Sequence, residues 1–200
     1  MKIVILGPDG AGKSSVIAGL VAVLNSKGHT VKVRYLKPQI ILPRQGSKAS
    51  INTDPHGMKP HSILPSLAKI FIWLLEEWYA NLFQDKRNML LICDRYYHDL
   101  LVDPWRFRYG GPGWAAKFVG KLMPNPKLWV LLDASAEILQ ARKQEVSAEE
   151  TKRQRQAYIA FTCKQREHVI VDASQPLDRV ITDVNNAISR ALLESEGICD

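Results

Sequence analysis

Residues that could hold a chain of phosphates occur together near the start of the sequence. Residues 7–14 (GPDGAGKS) fit the spacing G-x-x-x-x-G-K-[ST], with an apolar strand predicted before them and an amphipathic helix after them. The glycines let backbone N–H groups turn towards phosphate oxygens, at the positive end of the following helix dipole. Lys13 can reach the β- and γ-phosphates, and the Ser14 hydroxyl can ligate Mg²⁺. The pattern predicts a phosphate-binding loop, because a chance glycine turn needs none of these neighbours.

The acidic residue that such a loop requires ends a second apolar run. Asp94 follows residues 89–93 (MLLIC), and Arg95 comes next. Asp94 can hold a water on Mg²⁺ or accept a proton from the attacking group, and Arg95 can bind an anionic acceptor through its planar guanidinium. The alternative is a structural Asp–Arg pair that caps the strand end. Asp133 ends a similar run, and there we expect an N-cap for a helix over 134–144 rather than a functional carboxylate.

Basic residues lie on both sides of a polar stretch at 144–150: Arg142, Lys143, Lys152, Arg153 and Arg155. A mobile flap that carries arginines can neutralise the charge of phosphoryl transfer while it excludes water. We therefore predict a lid over residues 142–155, in which Arg142 is best placed to act because helix and flap meet there. The alternative is a solvated surface of two helices, in which Glu149 and Arg153 form an ordinary i,i+4 pair.

The elements that must position these residues follow from the hydrophobic pattern. Apolar or alternating runs predict five strands, at 2–6, 29–36, 89–93, 128–132 and 168–171. Helical spacing predicts helices over 13–25, 67–83 and 177–192. Strands separated by helices indicate βαβ units, so we expect an α/β fold with a parallel sheet between two helical layers. Residues 38–65 hold several prolines and few apolar residues, which predicts a long mobile loop within one domain that spans 1–200.

Composition excludes several classes of protein. The chain has 200 residues, of which 46% are hydrophobic and 24% charged, so it suits one globular domain and not a disordered chain. Its formal net charge of +7 favours anionic ligands. Three widely spaced cysteines without a C-x-x-C pair argue against a disulfide framework or a zinc site, and they favour a reducing cytoplasm. No run reaches the ~18 uncharged residues that a membrane span needs, and the first apolar run is too short for a signal peptide.

The motifs and their order resemble the thymidylate kinase branch of the P-loop nucleoside monophosphate kinases. The resemblance covers nearly the whole chain and depends on GPDGAGKSS at 7–15, DRYYHD at 94–99, LLDASAEILQAR at 131–142, RQRQAYIAF at 153–161 and VIVDASQP at 169–176. Many families share the phosphate loop. The Asp-Arg-Tyr run and the late Val-Asp-Ala-Ser are more specific.

The resemblance implies a three-layer P-loop NTPase fold with five parallel strands in the order 2-3-1-4-5, and ATP with Mg²⁺ as phosphoryl donor. It implies that the nucleotide is contacted by the loop, by the lid and by a segment at 172–175 that packs on adenine. These contacts are Gly7, Asp9, Gly10, Ala11, Gly12, Lys13, Ser14, Ser15, Arg142 and Ser174. The resemblance also implies that Ser14 and Asp94 bind Mg²⁺. Some relatives carry a catalytic arginine at the position of Gly10, so here that arginine should come from the lid, which suits Arg142, Arg153 or Arg155. The catalytic residues are then Lys13, Asp94, Arg142 and Arg153.

The acceptor side follows the family less closely. The resemblance directs Asp9, Arg95 and Tyr96 towards the acceptor, but residues 72–80 (IWLLEEWYA) lack the family's arginine and carry Glu76 and Glu77, which suit hydroxyl groups better than a phosphate. The family's arginine and proline after the second strand are echoed only by Lys37 and Pro38. Arg106 and Arg108 can restore anion binding from residues 104–113 (PWRFRYGGPG), unless these are a surface loop anchored by its aromatic residues. The predicted substrate contacts are Asp9, Lys37, Glu77, Arg95, Tyr96, Arg106 and Arg108.

We therefore expect a kinase that transfers the γ-phosphoryl group of ATP to a small acceptor, by default a nucleoside monophosphate such as dTMP. The alternatives are a non-nucleotide acceptor, such as a sugar or a glycan-linked group, and an NTPase switch without a phosphorylated product. We expect no nucleic-acid partner, because the basic residues gather around the predicted phosphate site. The aromatic helix at 67–83 is expected to be core and, as in related kinases, a homodimer contact. Its Trp73, Trp78 and Tyr79 leave peripheral membrane contact as the alternative.

Overall fold

The computed structural model describes residues 1–36, 59–83, 89–144 and 146–195. Within these ranges the strands are β1 (Lys2–Leu6), β2 (Thr30–Tyr35), β3 (Met89–Asp94), β4 (Leu128–Asp133) and β5 (His168–Asp172). The helices are α1 (Lys13–Ser26), α2 (Ile63–Phe83), α3 (Asp99–Val102), α4 (Gly113–Leu122), α5 (Ala136–Arg142), α6 (Ala148–Thr162) and α7 (Leu177–Ser195). The described residues form two compact units.

Unit 1 comprises the described residues of Met1–Tyr35, Asp85–Tyr96 and Pro126–Asp200. Its five strands form one parallel sheet in the order β2-β3-β1-β4-β5, so the predicted α/β fold and strand order are confirmed. In the register of the sheet, Ile5 of β1 lies beside Asp94 of β3 and Val130 of β4. The carboxyl ends of these three strands therefore lie at one edge, where the segments that follow them meet.

The sheet is covered on both faces, which explains why its central strands are apolar throughout. Ile3 and Ile5 of β1 are buried against a cluster that includes residues of α1 and α7. On the opposite face, Trp129 packs edge-on against Tyr96 and against Phe161 of α6, with ring centroids 5.8 and 5.1 Å apart.

Unit 2 comprises the described residues of Leu36–Gln84 and Tyr97–Asn125 and contains α2, α3 and α4. Trp73 of α2 lies at its centre, nearly perpendicular to the rings of Tyr97 and Phe107. The Tyr97 hydroxyl donates to the Ala116 carbonyl at 2.9 Å, and the Trp78 indole N–H donates to the Leu122 carbonyl at 3.0 Å. These bonds tie α4 to α2 and to Tyr97, which precedes α3.

The start of α2 and the presence of α4 differ from the sequence prediction. α2 begins at Ile63, so the predicted loop 38–65 ends earlier than expected, and residues 37–58 lie outside the described residues. Pro65 falls in the first turn of the helix, where backbone N–H groups have no intrahelical acceptor and proline is tolerated. The sequence pattern also overlooked α4, which follows directly on the Gly-rich residues 110–113.

Among the described helices, none combines the length and the apolar character that crossing a membrane requires.

Candidate active site

The loop between β1 and α1 has the backbone geometry that its glycines predict. Gly10 and Gly12 adopt φ values of +85° and +79°, in the left-handed region that side chains other than glycine rarely enter. A Cβ atom on Gly10 would lie 2.6 Å from the Leu139 carbonyl oxygen of α5, whereas one on Gly12 would meet nothing within 4 Å. Gly10 is therefore required both by conformation and by the closeness of α5.

Lys13 reaches back over this loop. Its ammonium donates to the Gly7 carbonyl at 2.7 Å and to the Pro8 carbonyl at 2.8 Å, and the residue is only 8% exposed. Ser14 and Ser15 follow it in the first turn of α1 and are exposed. That turn contains no acidic residue, so nothing in it opposes an anion at the helix N-terminus.

Asp9 and Arg95, which the sequence assigned separately to an acceptor, form an ion pair. A guanidinium nitrogen of Arg95 lies 2.7 Å from the Asp9 carboxylate, and the two side chains are 13% and 9% exposed. The other terminal nitrogen of Arg95 donates to the Tyr158 hydroxyl of α6 at 3.1 Å. Sequence reasoning missed Tyr158, although α6 buries a row that recurs every three or four residues: Thr151, Gln154, Tyr158 and Thr162.

The neighbours of Arg95 along the chain have different surroundings. Asp94 ends β3 beside Ile5 and is partly exposed. Tyr96 was predicted as an acceptor contact, but it is 1% exposed and packs against Trp129, with the Lys2 ammonium 5.2 Å from its ring centroid. The ring of Tyr96 is therefore part of the hydrophobic core of unit 1.

Asp133 is not the N-cap that we expected. Both of its carboxylate oxygens accept hydrogen bonds from Arg155 of α6, at 2.7 and 2.8 Å. The hydrogen bond to this carboxylate raises the pKa of Arg155 above its ordinary value. Ser135 caps α5 instead, through a bond from the Ile138 N–H, so the helix begins two residues later than predicted. An arginine from a distant helix cannot be inferred from local capping preference, which is why this expectation was wrong.

The predicted lid at 142–155 consists of the end of α5, a short connection and the start of α6; residue 145 lies outside the described residues. Arg142 ends α5 and donates to the Ala173 carbonyl at 2.8 Å. Arg153 pairs with Glu150 at 2.6 Å on an exposed surface, and not with Glu149, the partner that the alternative of a solvated helical surface named. Of the three lid arginines, Arg142 and Arg155 are directed to other elements of unit 1, and Arg153 bonds within its own helix.

A pocket of ≈ 270 Å³ adjoins the loop between β1 and α1. It is lined by Ala11, Gly12, Ser15, Val16, Arg142, Ala173, Gln175, Leu177 and Val180. The predicted adenine segment at 172–175 thus contributes Ala173 and Gln175. Ser174 instead bonds to the Asp172 carboxylate through its N–H and its hydroxyl, and the hydroxyl bond is the main cause of a lowered Asp172 pKa. Leu177 and Val180 were missed, because their spacing in α7 is also that of core residues.

The remaining predicted substrate residues belong to unit 2, except Lys37, which lies outside the described residues. Glu77 is buried within α2. The Arg106 N–H donates to Asp103 at 3.1 Å, and the Arg108 guanidinium donates to the Lys59 carbonyl at 3.1 Å. Burial, followed by the charge of Arg108, lowers the pKa values of His61 and Lys69, so unit 2 brings these three basic residues near each other.

The described residues contain no group of three or more His, Cys, Asp and Glu side chains that could enclose a metal ion. The Ser14 hydroxyl and the Asp94 carboxylate are nevertheless hard oxygen donors. Mg²⁺ often takes one or two such protein donors and completes its shell with water and phosphate oxygens. The donor chemistry therefore fits Mg²⁺ when a nucleotide supplies the other oxygens.

Comparison with known proteins adds no further assignment: no protein-family model matches the chain, and no curated protein matches it as a relative.

Proposed function

We propose that the protein is an ATP-dependent phosphotransferase, akin to the thymidylate kinases, that transfers the γ-phosphoryl group to a small acceptor. By default this acceptor is a nucleoside monophosphate such as dTMP. The observation that carries the proposal is the conformation of residues 7–14. They turn between the buried strand β1 and the start of α1, and the Lys13 ammonium donates to the carbonyls of Gly7 and Pro8 in this turn. Backbone N–H groups, a helix N-terminus and one ammonium are the groups that hold the phosphates of ATP in P-loop enzymes.

The pocket beside the loop supports binding of a nucleoside at the donor end. It combines apolar walls from Val16, Leu177 and Val180 with the guanidinium of Arg142. A planar guanidinium stacks well on aromatic faces. We assign to this pocket the base of the donor nucleotide, with Arg142 against it.

The proposed transfer is a direct displacement in line. An acceptor oxygen forms a bond to the γ-phosphorus while the bond from that phosphorus to the β–γ bridging oxygen breaks, and ADP leaves. A phosphate acceptor attacks as an oxyanion and needs no base. A hydroxyl acceptor must lose its proton, which the Asp94 carboxylate at the end of β3 is suited to take. When bound with the nucleotide, Mg²⁺ neutralises charge on the phosphates, and Ser14 and Asp94 are the residues that would hold it.

Arg95 is the proposed acceptor contact in unit 1, and its pairing favours a second candidate. Because Asp9 already neutralises part of the guanidinium charge, Arg95 attracts a dianionic phosphate less strongly than a free arginine would. The pair offers both donors and acceptors of hydrogen bonds, which suits an alcohol. A non-nucleotide acceptor such as a sugar or a glycan-linked group is therefore the alternative for the same phosphotransferase.

The test is ADP release from ATP and Mg²⁺ in the presence of a panel of nucleoside monophosphates and sugars. We expect ADP release that depends on one class of acceptor, with a phosphorylated product of matching mass. Slow hydrolysis that is indifferent to every acceptor would instead favour an NTPase switch and overturn the proposal.

The variant Lys13→Ala tests the proposed role of the loop in turnover. We expect turnover to fall by at least about 100-fold, because an electrostatic contact to the transferred group is lost. Circular dichroism should show a retained fold. The control is Lys164→Ala, which removes one exposed charge elsewhere in unit 1 and should leave turnover unchanged. Full activity of Lys13→Ala would contradict the assigned role of the loop.

A further inference from the structure

Unit 2 presents a continuous apolar surface that its own core does not use. Trp114, Phe118 and Leu122 recur every four residues along α4 and are 73%, 58% and 42% exposed. Phe71, Leu75 and Trp78 form a similar exposed row on α2. The two rows meet where the Trp78 indole donates to the Leu122 carbonyl. We call these six residues the aromatic face.

The exposed charges that α4 carries beside this face are all positive. Lys117 and Lys121 are exposed on α4, one residue before Phe118 and Leu122, so a basic row runs beside the apolar row. Among the described acidic residues of unit 2, Glu77, Asp99 and Asp103 are buried, and Glu76 of α2 is half-buried. The exposed surface of α4 is therefore both apolar and basic.

Six large apolar side chains exposed on two neighbouring helices indicate an interaction site, because soluble proteins rarely expose large contiguous apolar patches. Tryptophan and phenylalanine beside lysine are the composition of helices that lie in the interface of a bilayer. Acyl chains accept the apolar row, and anionic headgroups attract the lysines. A second copy of the chain would bring the same basic row of α4 to the contact, whereas anionic headgroups supply the opposite charge.

We propose that the aromatic face docks on an anionic phospholipid membrane and lies in its interface without crossing it. No described helix has the length and apolar character of a span, so the contact is a surface one. The inference goes beyond the phosphotransferase proposal and does not depend on it, since it rests on α2 and α4 alone.

The experiment is co-sedimentation of the full chain with lipid vesicles. Vesicles of phosphatidylcholine with phosphatidylglycerol should bind the protein, vesicles of phosphatidylcholine alone should bind it much less, and added salt should release it. The double variant Lys117→Gln/Lys121→Gln should bind the anionic vesicles about 10-fold or more weakly. Its control is Lys127→Gln/Lys164→Gln, which removes two exposed charges from unit 1 and should leave binding unchanged.

A second variant separates lipid from protein contacts. Trp114→Ser should weaken binding to anionic vesicles by about 10-fold, because the indole no longer enters the interface. The proposal is overturned if the wild-type chain does not bind anionic vesicles, or if both variants bind them as it does. It is also overturned if light scattering shows a dimer that Trp114→Ser dissociates while vesicles remain unbound, since the face would then contact a second copy. Vesicle binding that needs both the lysines and Trp114 supports it in any oligomeric state.

Discussion

Arg95 is held in place before any ligand arrives. Its backbone has a φ of +70°, uncommon for a residue with a side chain, and its two terminal nitrogens bond to Asp9 and Tyr158. A guanidinium fixed in this way loses little conformational freedom when it binds an acceptor. The unusual backbone and the two hydrogen-bond partners of the side chain therefore fit the proposed role of Arg95 as an acceptor contact.

Arg95→Lys tests this interpretation at the level of one side chain. A lysine keeps the charge but cannot bridge two partners as a planar fork, so the KM for the acceptor should rise by about 10-fold or more while that for ATP stays within about twofold. Steady-state kinetics with each substrate varied in turn measure both values. Tyr158→Phe, which removes only one anchoring hydroxyl, should give a smaller rise. An equal rise in the KM for ATP would place Arg95 on the donor side instead.

His98 makes the stability of the protein depend on pH. It is 8% exposed, and its Nε2 lies 3.1 Å from the Gly120 carbonyl, to which the neutral ring donates. Burial lowers the pKa of His98 from 6.5 to about 4. The unfolded chain therefore binds a proton at a pH where the folded chain does not, so stability is present above pH 6.5 and is lost as the pH falls towards 4.

We expect the free energy of unfolding to drop by about 1 kcal/mol through His98 between pH 7.5 and 5.5. Urea denaturation at the two pH values measures this drop. His98→Gln retains a donor for the Gly120 carbonyl but cannot titrate, so its drop should be smaller by that amount. An identical pH dependence in the two proteins would contradict the role of His98.

The loop between β1 and α1 packs closely against α5 at Gly10. A Cβ atom there would collide with the Leu139 carbonyl oxygen, whereas one on Gly12 would face open space. The two glycines share a left-handed backbone but differ in their surroundings, which gives a matched pair of positions within one element.

Gly12→Ala should cost about 1–2 kcal/mol, the penalty for a left-handed residue with a Cβ atom. Gly10→Ala carries the same penalty and in addition must push α5 away, so it should cost at least about 1 kcal/mol more. Urea denaturation of both variants measures the difference. Equal losses would show that α5 moves aside without cost and would contradict the close packing of Gly10 against α5.

At the scale of elements, the sequence predicted a strand or helix well where the local hydrophobic pattern alone determines it. The apolar runs predicted β1, β3 and β4 to within one residue, because strands buried on both faces need apolar residues throughout. Contacts between distant elements were not predictable in this way. Tyr158 reaches Arg95 and Arg155 reaches Asp133 from α6, and neither pair leaves a periodic trace in the chain.

At the scale of the molecule, binding of nucleotide to the loop should stabilise the whole fold. A ligand that binds only the folded state adds about 2.7 kcal/mol at a concentration of 100 times its Kd. We expect Mg²⁺ and ATP together to raise the midpoint of thermal unfolding by several degrees, with little effect in Lys13→Ala. Differential scanning fluorimetry measures both shifts. A shift that persists undiminished in Lys13→Ala would mean that ATP binds away from the loop.

The central place of β1 also governs the order in which the sheet can assemble during synthesis. β1 pairs with β3 on one side and with β4 on the other, and both follow it by long stretches of chain. At the usual pace of a ribosome, about 6 to 25 s pass between the making of β1 and that of β4. Throughout that interval the apolar strand β1 cannot pair with β4. A chaperone that shields the nascent chain should therefore raise the yield of native protein.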